Sequence, residues 1–258
     1  MIFHQQHNSG GRYNYNAFIY EQESFEMHFH KNYELTYALE GEIECVIDNK
    51  PYTLKKGEFG LCLPYYIHSL KPKENSRYFV IVFSEDFVHT FSKNVSGLKA
   101  LGFKFKCEKS IEEFILNNLI NTTEISIYLM KSCLYAVCNE FKRSTEFIEN
   151  KETRVIDKIC TFIENNHTDD ISLNDLAKLL GYDYNYVSRY FRSIFNMTFI
   201  DFLNIYRLQT ALTLLENDDK SVIDVAFESG FKSVRNFNHC FKKMMGMSPT
   251  QYKTASRK

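Results

Sequence analysis

The chain has 258 residues, with 31 Lys+Arg against 32 Asp+Glu and a formal net charge of −1. Hydrophobic residues make up 44 % and charged residues 24 %, with only 10 Gly and 4 Pro. That composition is globular and excludes a collagen-like chain, a low-complexity tail and extended disorder. At roughly 150 residues per domain, the length predicts about two domains, or one large one. The apolar run Phe79–Phe83 is too short to span a membrane, and Met1–Gly11 lacks the apolar centre of a secretory signal. The expectation is a cytoplasmic protein with no membrane partner. Seven cysteines, at 45, 62, 107, 133, 138, 160 and 240, show no CxxC spacing and read as reduced thiols buried as small hydrophobes.

From about Asn16 to Ser84 the pattern is of short strands. Tyr33–Leu39 and Ile43–Ile47 flank the turn Glu40-Gly41-Glu42, and Asp48-Asn49-Lys50 turns the chain again into Pro51–Leu54. Phe59–Leu63 and Phe79–Phe83 follow, with Pro51, Pro64 and Pro72 where a missing N–H is tolerated. Many short strands at this spacing predict a small barrel or sandwich.

From Lys109 the periodicity becomes helical. One helix is predicted over 109–121 and a second from about Glu124 to Lys142. Ile127, Met130, Leu134, Val137 and Phe141 step by three and four, and Ile125, Tyr128, Leu129 and Tyr135 widen the apolar surface. A helix apolar on more than one face needs more than one packing partner. Residues 109–143 therefore read as a helical dimerisation segment, and 144–151 as a polar linker.

The last hundred residues repeat themselves. Ser172, Asp175, Ala177 and Gly181 recur forty-nine residues on as Ser221, Asp224, Ala226 and Gly230. Each copy offers a Ser–Asp capping pair, a small residue for a close helix crossing and a glycine to close the helix. That is the pattern of helix, tight turn, helix. In the helix that follows each glycine, the apolar stripes are Val187, Tyr190, Phe191 and Ile194, then Phe237, Cys240, Phe241 and Met244. The opposite stripes are Asn185, Ser188, Arg189 and Arg192, then Arg235, Asn238, His239 and Lys242, with Lys243 alongside. Neither of these helices carries an acid; the acids Asp175, Asp183, Asp224 and Glu228 lie on the preceding segments. Basic presenting helices are an electrostatic footprint for phosphate. Residues 151–258 hold 15 basic and 13 acidic side chains, the first 150 hold 16 and 19. A helix predicted over Thr198–Glu216 joins the copies. At 1.5 Å per residue it is roughly 27 Å long, near the ~34 Å between successive major-groove faces.

Arg207–Leu215, Ile223–Phe231 and Phe237–Tyr252 resemble the signature of the AraC/XylS family of bacterial transcription regulators, and the likeness extends over about Lys151 to Tyr252. It implies a DNA-binding domain of two helix-turn-helix units joined by a long helix, and contact with RNA polymerase during activation. Carried onto this chain, the base-reading positions are Asn185, Ser188, Arg189, Arg235, Asn238 and His239. Phosphate contacts are expected from Arg192, Lys242 and Lys243. His239 stands where Arg is frequent in the family, and Asn196 where Gly is usual.

In the first half, His28 and His30 share a strand face, Glu34 follows, and His68 comes later after Pro64–Ile67. His28-Phe29-His30, Glu34 and Gly41 resemble the first cupin motif, whose histidines and glutamate bind one ion in metal-dependent members. The glycine expected before His28 is replaced near Gln22, and the second motif lacks its glycine and its spacing. On that ground no tightly held metal and no cofactor is expected. His28, His30, Glu34, His68 and Tyr37 are read as polar lining of an effector pocket, with an internally hydrogen-bonded structural cluster as an alternative; if a metal binds, its ligands are His28, His30, Glu34 and His68. Tyr13, Tyr15, Phe18, Tyr20 and Tyr33 are further candidates for a carbohydrate-type lining.

The expected fold is α+β in two domains: a cupin-like barrel over 1–108 with accessory helices, the segment 109–143, the linker 144–151 and an all-α domain over 152–258. The two helix-turn-helix units fall at about 171–195 and 220–246. The expected function is a ligand-responsive, dimeric DNA-binding activator, not an enzyme. A metal-dependent cupin enzyme or metal sensor with a DNA-binding appendage is the alternative; a repressor is the second.

Overall fold

The computed structural model describes residues 3–4, 15–122, 125–195, 197–217 and 220–255. The chain divides into two compact units, Met1–Ile156 and Asp157–Lys258. Among the described residues, no helix is long and apolar enough to cross a membrane.

The first unit contains β1 (Phe3–His4), β2 (Tyr15–Glu21), β3 (Phe25–Phe29), β4 (Tyr33–Glu40), β5 (Glu42–Ile47), β6 (Lys50–Lys55), β7 (Phe59–Cys62), β8 (His68–Pro72) and β9 (Arg77–Phe83). Helix α1 (His89–Val95), β10 (Leu98–Ala100), β11 (Lys104–Phe105), α2 (Lys109–Ile115), α3 (Ile127–Ser144) and β12 (Phe147–Glu149) follow. One sheet runs β1-β3-β8-β5-β6 and the other β11-β7-β4-β9-β2; apart from the parallel β1·β3 pair, their neighbours are antiparallel. Gly41 at φ 70° turns β4 into β5, and Asp48 and Asn49, both at positive φ, form the two-residue turn into β6.

Strand β4 is buried on both faces, so its alternation divides the unit. Tyr33, Leu35 and Tyr37 face one core with Phe59, Leu61, Phe79, Ile81 and Phe83. That core is completed by Phe87, Phe91, Ile115, Leu119, Met130, Leu134, Val137 and Phe141 from the helical segments. The other face gives Ala38, which joins Ile43, Cys45, Leu54, Cys62, Leu70, Tyr78, Val80 and Val82 between the sheets. Helix α2 passes into a π-helical turn over Leu116–Ile120. The predicted seam of α3 is its buried face, and Leu134 is fully buried. Tyr128 stays 81 % exposed. Helix α3 begins at Ile127, capped by Ser126, and Glu124 lies outside the described residues.

The expected linker changes. The stretch 144–151, read as a polar linker, holds β12, which pairs antiparallel with β10. Phe147 packs edge-on against Phe91 and Phe141, and an aromatic anchor outweighs the polar residues around it.

The second unit is helical: α4 (Lys151–Asn166, entering from the first unit), α5 (Leu173–Leu180), α6 (Tyr184–Phe195), α7 (Phe199–Asn217), α8 (Val222–Glu228), α9 (Val234–Met245) and α10 (Pro249–Ala255). Ser172 and Asp175 close a reciprocal capping box on α5, and Ser221 accepts from the Asp224 N–H on α8. Two clusters use different faces of α7. Phe202 contacts Phe191 and Phe195 of α6, while Leu208, Ala211 and Leu215 pack with Val225, Ala226, Phe237 and Phe241.

Arg207, almost fully buried on α7, ties the end of α4 to this frame. Its Nε donates to the His167 carbonyl at 2.7 Å and its Nη2 to the Asp169 carbonyl at 2.9 Å. Gly230 rests on the same place: a Cβ there would meet His167 O and the Thr168 Cα, both at 2.7 Å. Gly181, its counterpart, faces open space. Both have positive φ. Gly181→Ala is therefore expected to cost about 1–2 kcal/mol of backbone strain. Gly230→Ala should cost distinctly more, because backbone must also move. Hydrogen exchange across α8 and α9 checks this; equal effects of the two substitutions would contradict the packing described.

Candidate functional site

The inner face of the first unit carries a polar cluster within an apolar interior. Glu34 projects from β4 between Cys62 of β7 and Val82 of β9, its register partners. His28 of β3 pairs directly across the sheet with His68 of β8. His30 lies just past the end of β3. All four side chains are buried, and their ligand atoms lie within 4.8 Å of one another. Glu34 Oε2 is 3.3 Å from His30 Nε2 and 3.4 Å from His68 Nε2.

The remaining ring nitrogens are fixed by backbone. Nδ1 of His28 bonds to Glu26 O at 2.8 Å, that of His30 to Asn32 O at 3.0 Å, and that of His68 to Tyr66 O at 2.8 Å. A carbonyl can only accept, so each Nδ1 carries a proton, and His30 and His68 turn Nε2 to Glu34.

Charge on these groups follows from burial and from one another. Burial, then the neighbouring His68, lowers the His28 pKa to about 4. Burial also lowers that of His30, against its bond to Glu34. Burial opposes charge on His68, but Cys62 and Glu34 outweigh it and hold its pKa well above the ordinary imidazole value. Burial likewise opposes charge on Glu34, and the adjacent imidazoles overcome it and hold the carboxyl well below its ordinary range. Without a bound ion, His68 and Glu34 form an ion pair while His28 and His30 are neutral near pH 7.

The positions where glycine is missing keep the conformation that glycine favours. Gln22 has φ 60° and Tyr65 has φ 64°. The Tyr65 N–H donates to the His30 carbonyl at 2.8 Å, so the loop before His68 is fastened to the segment carrying His30. The four side chains therefore converge without the glycines. Three imidazoles and one carboxylate, each ring oriented by a second-shell carbonyl, fit a borderline transition-metal ion such as iron, manganese, nickel or zinc.

A pocket opens beside the cluster, lined by Asn16, Phe18, Tyr20, Phe25, His28, Glu34, Leu70, Val80 and Val82. Phe18 and Tyr20 were among the sequence candidates; Asn16 shares their face of β2. Phe25 was not foreseen. Its signal was the spacing of three to His28, which an irregularity in the β3·β8 register converts into a shared face. Tyr37 does not join the cluster. It belongs to the helix-facing side of β4, where its hydroxyl donates to Glu112 Oε1 at 2.6 Å and its ring packs on Phe59. A strand period of two puts residue 37 opposite residue 34. Tyr33 stacks on Phe83 and Tyr15 meets Phe87 edge-on, both within the helix-facing assembly. Tyr13 lies outside the described residues.

In the second unit, α6 and α9 each bury one stripe and expose the other. Val187, Phe191, Phe237 and Phe241 are buried. Asn185, Arg189, Arg192, Arg235, Asn238, His239, Lys242 and Lys243 are exposed, and Ser188 is half-exposed. Met244 is exposed rather than buried, and Met245 packs on the core in its place. Asp183 Oδ1 accepts from the N–H groups of Asn185 and Tyr186, and Ser233 accepts from that of Asn236, so both helices start at fixed positions. Asn196 lies outside the described residues.

These are the parts of a ligand-binding domain joined to a DNA-binding domain with two helix-turn-helix units, the make-up of a transcription regulator. Residues 16–121 match the model of an AraC-like ligand binding domain, and residues 176–255 that of a helix-turn-helix domain. The chain belongs to the AraC/XylS family of transcription regulators. It is 22 % identical over 254 residues to the melibiose operon regulatory protein of Escherichia coli, covering 89 % of this chain and 84 % of that one. It is 24 % identical over 249 residues to the uncharacterised regulator YdeC of Bacillus subtilis, covering 88 % and 85 %. In fold it is similar to ToxT from Vibrio cholerae in its unsaturated-fatty-acid-bound form, with a TM-score of 0.58 at 17 % identity over 96 % of each chain.

The polarity of the cluster can be tested. In chelator-treated protein, His68 should stay doubly protonated at neutral pH, because Cys62 and Glu34 hold its pKa above the ordinary imidazole value. Glu34→Gln removes one of the two groups that oppose burial there, so the His68 pKa should fall. Ring nitrogen NMR reads both states; an unchanged His68 in the variant would show that Glu34 does not hold its proton.

Proposed function

We propose that this chain is a dimeric, sequence-specific activator that reads double-stranded DNA through α6 and α9 and is switched by a small organic effector in the N-terminal pocket. The observation that carries the DNA reading is the duplicated exposed stripe. Asn185, Ser188 and Arg189 on one helix and Arg235, Asn238 and His239 on the other occupy matching positions, each on a capped helix with its opposite face buried. Both arginines can address guanine O6 and N7 in bidentate fashion. Arg192, Lys242 and Lys243 lie farther along their helices and are assigned to phosphate.

The effector reading rests on the pocket. Phe18, Tyr20, Phe25, Leu70, Val80 and Val82 give it an apolar wall, and Asn16, His28 and Glu34 a polar end. Such a lining suits a small amphipathic molecule with an oxygen-bearing end; a carbohydrate stacked on the rings is one member of that class. Two related proteins are tied by name to a sugar operon and to a bound fatty acid, which fits a family pocket of variable content. Dimerisation is assigned to the outer face of α3, where Tyr128, Ser132, Tyr135 and Asn139 line up in the open. RNA polymerase is the partner that activation requires. The relatives are regulators, and no catalytic role is assigned.

The full chain should protect about two successive major-groove faces per subunit, roughly 20 base pairs. Arg189→Ala and Arg235→Ala should each cost about 1–3 kcal/mol and relax preference at one base position. Lys242→Ala and Lys243→Ala should weaken all sequences alike and lower the salt slope by about one each. Footprinting and salt titration check this, and a phosphate-like response from Arg235→Ala would refute the assigned orientation. Sedimentation should show a dimer at micromolar concentration that Tyr128→Glu converts to monomer; a monomeric wild type would refute the assembly.

A further inference from the structure

We propose that Tyr184 and Tyr186, exposed at the start of α6, bond to the sugar–phosphate backbone on the two walls of one major groove, an assignment that rests on the DNA reading above. The first helix-turn-helix unit then grips DNA through uncharged hydroxyls where the second uses lysines.

The two reading helices share their stripes but not their flanks. Residues 182–193 hold two basic side chains, Arg189 and Arg192, one acid, Asp183, and four tyrosines, Tyr182, Tyr184, Tyr186 and Tyr190. The matching residues 232–243 hold four basic side chains, Lys232, Arg235, Lys242 and Lys243, with no acid and no tyrosine. Where α6 has Tyr184, Tyr186 and Tyr190, α9 has Val234, Asn236 and Cys240. Tyr182, Tyr184 and Tyr186 are 50, 49 and 47 % exposed. Phe191, Phe195 and Phe202 make the packing of α6 on α7, so these three rings are not what holds the helix down.

Their places on the helix match the shape of a groove. At 3.6 residues per turn each residue advances about 100°. From the centre of the stripe Asn185, Ser188, Arg189 and Arg192, Tyr184 then lies about 90° to one side and Tyr186 about 110° to the other. A helix seated in a major groove ~12 Å wide turns its stripe to the base edges and its flanks to the two strands. Hydroxyls on those flanks meet phosphate and sugar oxygens, contacts that fix register without reading sequence. Tyr186 is also ordered in advance. Its ring lies 5.1 Å from that of Tyr182 and stacks on that of Tyr190 at 6.1 Å and 11°. A side chain already held loses little rotamer freedom on binding.

The caps differ in the same sense. Asp183 accepts from the N–H groups of Asn185 and Tyr186, whereas neutral Ser233 caps α9. At α6 a carboxylate therefore occupies donors that a helix start otherwise offers to phosphate. Backbone contact at that end falls to side chains that reach the flanks. A phenol supplies a donor without a charge. It releases no counterion, so its contribution does not decline with salt as that of a lysine does.

The test uses the full chain and two probes. One is a duplex of about 30 base pairs, long enough for two major-groove faces, selected by wild type from a random pool. The other is a duplex of the same composition in scrambled order. Tyr184→Phe and Tyr186→Phe each remove one hydroxyl and keep the ring, and thermal melting confirms their fold. Each should weaken binding to both probes about tenfold, the loss of one hydrogen bond to a charged acceptor. The slope of log K against log salt should stay unchanged. Tyr186→Lys should bind at low salt as wild type does and steepen that slope by about one. Wild-type affinity in either Phe variant overturns the proposal. So does a loss confined to the selected duplex, the mark of base reading, or a slope lowered by about one, the mark of a displaced cation. Tyr186→Lys with an unchanged slope overturns the assignment of that flank. Wild type that binds neither probe at low salt refutes the DNA reading itself. Wild type that binds while the Phe variants match it refutes the tyrosine contacts alone.

Discussion

An ionised side chain taken out of water costs several kcal/mol unless fixed partners compensate it, and each unit of this chain is arranged around one such group. In the first unit the group is Glu34. Its carboxylate stands on a strand buried on both faces, and three imidazoles from β3, the loop after it and β8 close around it. Those rings in turn fix where the segments that carry them must pass. In the second unit the group is Arg207. Its guanidinium satisfies carbonyls just past the end of α4, the place where orphan acceptors accumulate. His167 adds a bond to Thr210, one turn farther along α7. The long helix is thereby joined to α4 by polar bonds and to its two helix-turn-helix units by apolar packing.

Much of this was legible in the sequence because it obeys a period. The duplicated Ser, Asp, Ala and Gly positions specify caps and closures that are purely local, and the structure forms them. The stripes on α6 and α9 follow from 3.6 residues per turn. The convergence of His28, Glu34 and His68 was legible only through resemblance, since their meeting depends on sheet pairing over long sequence distance. Tyr37 shows the limit. An aromatic residue three positions from Glu34 looks like a pocket neighbour on composition, but alternation sends it to Glu112 on the far side of the strand. The strand β12 was hidden for another reason. Its polar residues read as a linker, and Phe147 anchors it beside the pairing with β10.

The missing glycines carry a related lesson. A motif written in residue types records the least costly way to make a bend, and other side chains can occupy the same backbone when the surroundings hold it there. Gln22 and Tyr65 do so at φ 60° and 64°. The motif is degraded as text and retained as geometry. Departures from a pattern are therefore better judged by the torsion they require than by the letter they replace. The same comparison separates Gly181 from Gly230, which look equivalent in the repeat: one is required by its torsion alone, the other also by the backbone it rests on.

Helix α7 has nineteen residues, about 28 Å at 1.5 Å per residue, and apolar packing on different faces leaves it no freedom to stretch. If both reading helices engage one face of a duplex and stand no farther apart than α7 is long, the shortfall against the ~34 Å groove repeat is met by the DNA. Bending a site of this size costs on the order of 1–6 kcal/mol, and less where pyrimidine–purine steps lie at the bend. Part of the operator's identity would then reside in base pairs that no side chain touches, chosen for how readily they yield. A ruler made of protein selects its DNA by compliance as well as by letter.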